Sequence, residues 1–151
     1  MGGYGGSSGR TKDKCYYNTD GRKVTDKNAI EAAERYISEG KFVLFLHENP
    51  PERHPDLLVE YKMLVEVKGI FSTNPGQILK QIEKASLQIE AELARYPEEK
   101  RISGKIVIIS RHASFEIGYK AVYEGYQEAK RKDQVHFTLE FWFHGEIHIF
   151  E

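Results

Sequence analysis

Between residues 55 and 68 three residue types recur in a spacing that few kinds of chemistry require. Pro55-Asp56 opens the apolar run Leu57-Leu58-Val59, and Glu66-Val67-Lys68 follows with nine residues between the aspartate and the glutamate. Side chains alternate along a strand, so Glu66 and Lys68 share a face if this stretch is extended. An acid and a lysine on a mostly apolar strand are costly unless they have partners or a task. Metal-assisted hydrolysis of a phosphodiester needs this trio. Two carboxylates hold a hard cation, while a lysine positions the attacking water or offsets charge in the transition state. The blander reading makes Glu66 and Lys68 a surface pair on an edge strand. A second acid-x-lysine, Glu60-Tyr61-Lys62, follows Asp56 too closely to return as a neighbouring strand. Its expected place is the turn of a hairpin joining 57–60 to 63–68.

The roles follow from the residue types. Asp56 is expected to be a direct metal ligand, its competing role being a turn or cap residue after proline. Glu66 is the second ligand, and the backbone carbonyl of Val67 supplies a third oxygen. Two carboxylates aimed at one point repel unless a cation neutralises them. Oxygen-only ligation selects Mg²⁺ or Mn²⁺ over zinc. Lys68, a mobile point charge, suits following phosphate charge as it shifts.

Those residues need a scaffold. Ala29, Ile30, Ala33, Tyr36 and Ile37 share one face of a helix that starts at Asn28 and stops at Gly40. Phe42–Leu46 reads as a strand, and the 57–68 hairpin follows. Ile78, Ile82, Ala85, Ile89, Leu93 and Tyr96 predict a helix over about 76–96, ended by Pro97. The β-branched run 105–109 predicts a strand. A helix over about 115–132 should turn Ile117, Ala121, Val122 or Tyr123, and Tyr126 inward. Strands at 135–143 and 146–150 flank the hairpin signal His144-Gly145. The order predicts one α/β domain, a mixed central sheet with helices packed on it.

The bulk properties restrict the field. The chain has 151 residues, 40% hydrophobic and 30% charged, with a formal net charge of −1. That charge does not advertise nucleic-acid binding, so a nuclease here needs a local basic surface or a substrate docked through its metal and a groove. The lone Cys15 excludes an internal disulfide and a thiolate metal cage. No run is long and apolar enough for a membrane span, and no signal-peptide core is seen. Residues 1–27 read as a flexible Gly/Ser-rich and polar lead-in, as at a junction with a larger protein, and 28–151 as the domain.

A helix, three strands with acids on the second and third, then a helix and a strand: this pattern resembles the core of the PD-(D/E)xK nuclease superfamily. More narrowly it resembles the C-terminal tRNA-cleaving toxin domains of contact-dependent growth inhibition proteins. The pieces are Glu31-Ala32-Ala33 in a helix ending at Gly40, Glu48-Asn49-Pro50-Pro51, Pro55-Asp56, Glu66-Val67-Lys68 and the Ser72-Thr73-Asn74 loop. They span Glu31 to about Ser110, roughly half the chain. The resemblance implies a metal-dependent endonuclease acting on RNA, tRNA foremost. It further implies the toxin end of a larger bacterial protein, secreted or delivered to act in a target-cell cytoplasm, with a cognate immunity protein as partner. It makes Glu31 a helix-borne catalytic acid, against a local role as the third helical residue after an Asn28 cap, with Glu34 as a rival. Within the polar stripe Gln77, Gln81, Lys84 and Gln88, it makes Gln81 and Lys84 contacts to substrate phosphate; the plainer reading is a solvated face. A DNA endonuclease of the same fold, a metal-free ribonuclease built on the histidines, and a non-catalytic binding module are the alternatives. Oligomeric state is open.

Overall fold

The computed structural model describes residues 15–47 and 54–151. The Gly/Ser-rich start and the Glu48–Pro51 piece lie outside the described residues.

Helix α1 (Lys27–Ser38) is capped by Asp26, whose side chain accepts from the backbone N–H groups of Asn28 and Ala29. The cap expected from Asn28 therefore sits two residues earlier, and the Asn28 amide serves elsewhere. Strands β1 (Val43–Phe45), β2 (Leu57–Val59) and β3 (Met63–Ile70) form an antiparallel meander. Glu60-Tyr61-Lys62 is the β2–β3 turn, as its spacing demanded, with Glu60 and Tyr61 both at positive φ (54° and 57°). The chain then crosses through α2 (Pro75–Leu93) to β4 (Ser103–Ser110), and through α3 (Phe115–Arg131) to β5 (Thr138–Phe143). Asn74 caps α2, with Pro75 in its first turn where a missing N–H costs nothing. His144 and Gly145, at φ 48° and 84°, make the two-residue turn into β6 (Glu146–Phe150).

The described residues thus form a single α/β domain with an open, mixed six-stranded sheet in chain order, and three α-helices. Strands β3, β4 and β5 run parallel, and the outer pairings are antiparallel. Alternation splits the core in two. Leu64, Ile70, Ile106, Ile108 and Phe141 pack under α2 and α3. Val65, Val67, Val107, Ile109 and Trp142 pack under α1. Glu66 and Lys68 alternate with the valines, so they face the α2 side.

Several expectations change in detail. Ile117 is 50% exposed, because α3 approaches its neighbours through Gly118 and Gly125 instead. A Cβ at Gly125 would stand 3.0 Å from Ile78, and one at Gly118 2.9 Å from the Ser110 hydroxyl. Within residues 1–27, expected to be a flexible lead-in, Tyr16 is buried against Phe45 and bonds Glu34 through its hydroxyl.

Candidate active site

The hairpin register brings the two acids together. Leu57 pairs with Val65, so the next position places Asp56 beside Glu66. Both are buried, Asp56 to 7% and Glu66 to 3% exposure. The Asp56 backbone N–H donates to Glu66 Oε1 at 3.1 Å, and the Val67 N–H donates to Asp56 Oδ2 at 2.8 Å. Lys68 Nζ sits 3.0 Å from Glu66 Oε2. Burial raises the Glu66 carboxyl above its ordinary range, although Lys68 and hydrogen bonds from Asp56 pull it back. The Val67 N–H points toward Asp56, and a strand residue's carbonyl lies on the same side as its N–H. Continuing the register sets Pro55 opposite Val67, and a proline has no N–H to offer that carbonyl.

Helix α2 braces this cluster. Lys68 Nζ donates to Gln88 Oε1 at 3.4 Å, and Gln88 Nε2 approaches the His54 carbonyl at 3.5 Å. One turn on, buried Glu92 lies 2.6 Å from His54 Nδ1 and accepts from the Arg95 guanidinium, whose Nη1 is itself 2.9 Å from that ring nitrogen. The His54 ring also packs 4.0 Å from that of His47. The chain leading into Asp56 is therefore tied to α2. Gln88 belongs to the polar stripe seen in the sequence, but Glu92 and Arg95 escaped it. Extending the stripe by one more step of four, from 88 to 92, is the signal that finds Glu92.

The other expected site residues lie elsewhere. Gln81 and Lys84 are exposed on the turns of α2 that precede Gln88. Glu31 is on α1, across the sheet from Glu66 and Lys68, and pairs with Arg111 at 2.9 Å. Glu34 takes the Tyr16 hydroxyl. The structure brings together Asp56, Glu66, Val67 and Lys68, and leaves Glu31, Gln81 and Lys84 outside that group. Nor do the histidines assemble around one point. His136 stands between Glu90 and Asp133, 3.0 Å from each, and both carboxylates raise its pKa. His112 Nδ1 accepts from the Ser114 N–H.

Among the described residues, no group of three or more His, Cys, Asp or Glu side chains could hold a metal ion. The donor set is two carboxylates and one carbonyl. That matches a small hard cation that keeps several waters and leaves room for a phosphate oxygen, and it does not match zinc. Comparison with known protein families, curated proteins and solved structures finds no match to this chain.

Proposed function

We propose that this chain is a metal-dependent endonuclease with a PD-(D/E)xK core. In this reading it hydrolyses RNA, tRNA first, as the toxin domain of a contact-dependent inhibition system with a cognate immunity partner. One observation carries the chemistry: two buried carboxylates, one just before β2 and one on the neighbouring β3, with a lysine ammonium 3.0 Å from the second. The choice of tRNA and of a toxin context rests on the resemblance of the sequence motifs. No described helix is long and apolar enough to cross a membrane.

Asp56, Glu66 and the Val67 carbonyl would hold Mg²⁺ or Mn²⁺, which when bound supplies Lewis-acid polarisation and neutralises charge at the phosphate. The protein's own groups do the rest. Burial strengthens each electrostatic contact around the two carboxylates. Lys68, part-exposed, would reach a phosphate oxygen or the attacking water from its seat between Glu66 and Gln88. Gln88 and Glu92 keep Lys68 and the Asp56 segment in register, which preserves the alignment that catalysis needs.

Total tRNA and plasmid DNA, each incubated with the protein and Mg²⁺ or Mn²⁺ and run on denaturing gels, test this reading. It predicts discrete tRNA fragments that disappear with EDTA. Plasmid cutting alone would move the substrate to DNA. Cleavage that persists in EDTA, or none of either substrate, would overturn the metal nuclease.

A further inference from the structure

On the α1 face, across the sheet from Glu66 and Lys68, the C-terminal ends of β4 and β5 open into a cleft of about 790 Å³. Crevices at the carboxyl ends of parallel strands are where open α/β sheets take ligands, and this volume suits one small molecule or one nucleotide. Ile109 and the edge of Trp142 form its floor. Arg35, Arg111, His112 and His144 stand around the rim, with Glu31 and Glu34.

The rim is a fixed set of donors and acceptors. Asn28 Oδ1 accepts from Nε and Nη2 of Arg111, and Glu31 also accepts from Nη2, so the guanidinium is held in one orientation. Arg35 is anchored on the Gly145 carbonyl at 2.8 Å and lies 5.8 Å from the Trp142 ring. Because His112 Nδ1 accepts from Ser114, its proton is on Nε2, as a donor. A bare anion would be repelled by the two glutamates. A nucleotide uses both kinds of group: its phosphate takes guanidinium and imidazole donors, its base and ribose donate to carboxylates, and its base packs against the apolar floor of Ile109 and Trp142.

The position fits the cut. Lys68 pairs with Ile108 on the neighbouring strand, and Ser110, at the cleft, is two residues further along β4. That is about 7 Å along the strand and about 5 Å across, within a few nucleotides of the metal site around the end of the sheet. We propose that this cleft holds one unpaired nucleotide of the strand being cut. The choice of ligand rests on the nuclease reading above.

Trp142 is the only tryptophan, so its emission reports the cleft directly. The experiment uses Asp56→Ala protein in EDTA, titrated with a six-residue oligoadenylate RNA, with adenosine monophosphate and with inorganic phosphate. The expected result is a saturable change with the RNA and the nucleotide and none with phosphate. Arg111→Ala should weaken it about tenfold or more, the scale of one charged hydrogen bond. His144→Asn, which suits the left-handed turn and so preserves the fold, should weaken it in the same direction. No response to RNA or nucleotide, an equal response to phosphate, or unchanged affinity in both variants would overturn the proposal. A wild-type protein that cuts RNA while Trp142 ignores the oligonucleotide sinks the cleft alone. A Trp142 response in a protein that cuts nothing supports the cleft and contradicts the nuclease.

Discussion

Asp56 and Glu66 are acids that the fold buries against each other with one lysine between Glu66 and solvent. For Glu66 the direction of the pKa shift fixes a sign. Its folded value is raised, chiefly by burial, so its contribution to stability is fully present below the ordinary carboxylate pKa. It is lost as pH rises through the raised value. Glu66→Gln cannot ionise, so in EDTA the variant should lose less stability than wild type as pH rises above the ordinary glutamate range, about pH 4. Urea midpoints across that rise measure it, and parallel curves for the two proteins would contradict it. Asp56, Glu66 and Lys68 were legible in the sequence because charges in an apolar alternating run stand out. Gln88 and Glu92 were not, since on a helix the same four-residue spacing serves a solvated face and a bracing one. The partner of Glu31 was hidden as well: Arg111 lies 80 positions away and meets it only through the sheet.

At the scale of elements, close approach decides how the helices seat. Gly104 on β4 lies under α2, where an added Cβ would stand 2.4 Å from Ile89 Cγ2. Gly104→Ala should therefore destabilise the protein by about 1–3 kcal/mol, the usual cost of overpacking a filled core. A lowered urea midpoint at constant slope checks this, and an unchanged midpoint would show that Ile89 gives way freely. The β2–β3 and β5–β6 hairpins and the helix positions were readable from periodicity and turn residues. The shift of the α1 cap to Asp26 was not, because Asp26 and Asn28 are equally good caps in isolation. The outward turn of Ile117 followed from glycines whose packing role appears only when α3 meets β4 and α2.

Across the whole molecule the sheet separates two charged regions. One is the Asp56–Glu66–Lys68 cluster on the α2 side. The other is a closed network on the α1 side, where Lys105 Nζ bonds Glu140 Oε2 at 3.0 Å and the Trp142 indole N–H donates to Glu140 Oε1 at 2.9 Å. Burial works against the Lys105 charge, but Tyr36 and Glu140 more than offset it and raise its pKa. Glu140→Ala would strand that ammonium and should cost about 3–5 kcal/mol. Thermal unfolding of Glu140→Ala beside Lys105→Met/Glu140→Leu separates the effects, since the double variant should recover most of the loss. Equal losses in both would show that the ion pair itself matters little. The mixed α/β architecture was legible from the order of patterned segments. The division of labour between its faces was not, because which side each residue takes depends on register.

The central claim is that Asp56 and Glu66 hold the metal that cuts RNA. The most direct measurement is the rate of tRNA cleavage by wild-type and Asp56→Ala proteins of matched fold, in Mn²⁺ and in EDTA. Outer supports of a metal typically cost 10–100-fold when removed, so loss of a direct ligand should slow cleavage by at least about a hundredfold. Wild type in EDTA should be equally silent. Asp56→Ala protein that cleaves at the wild-type rate would contradict the account.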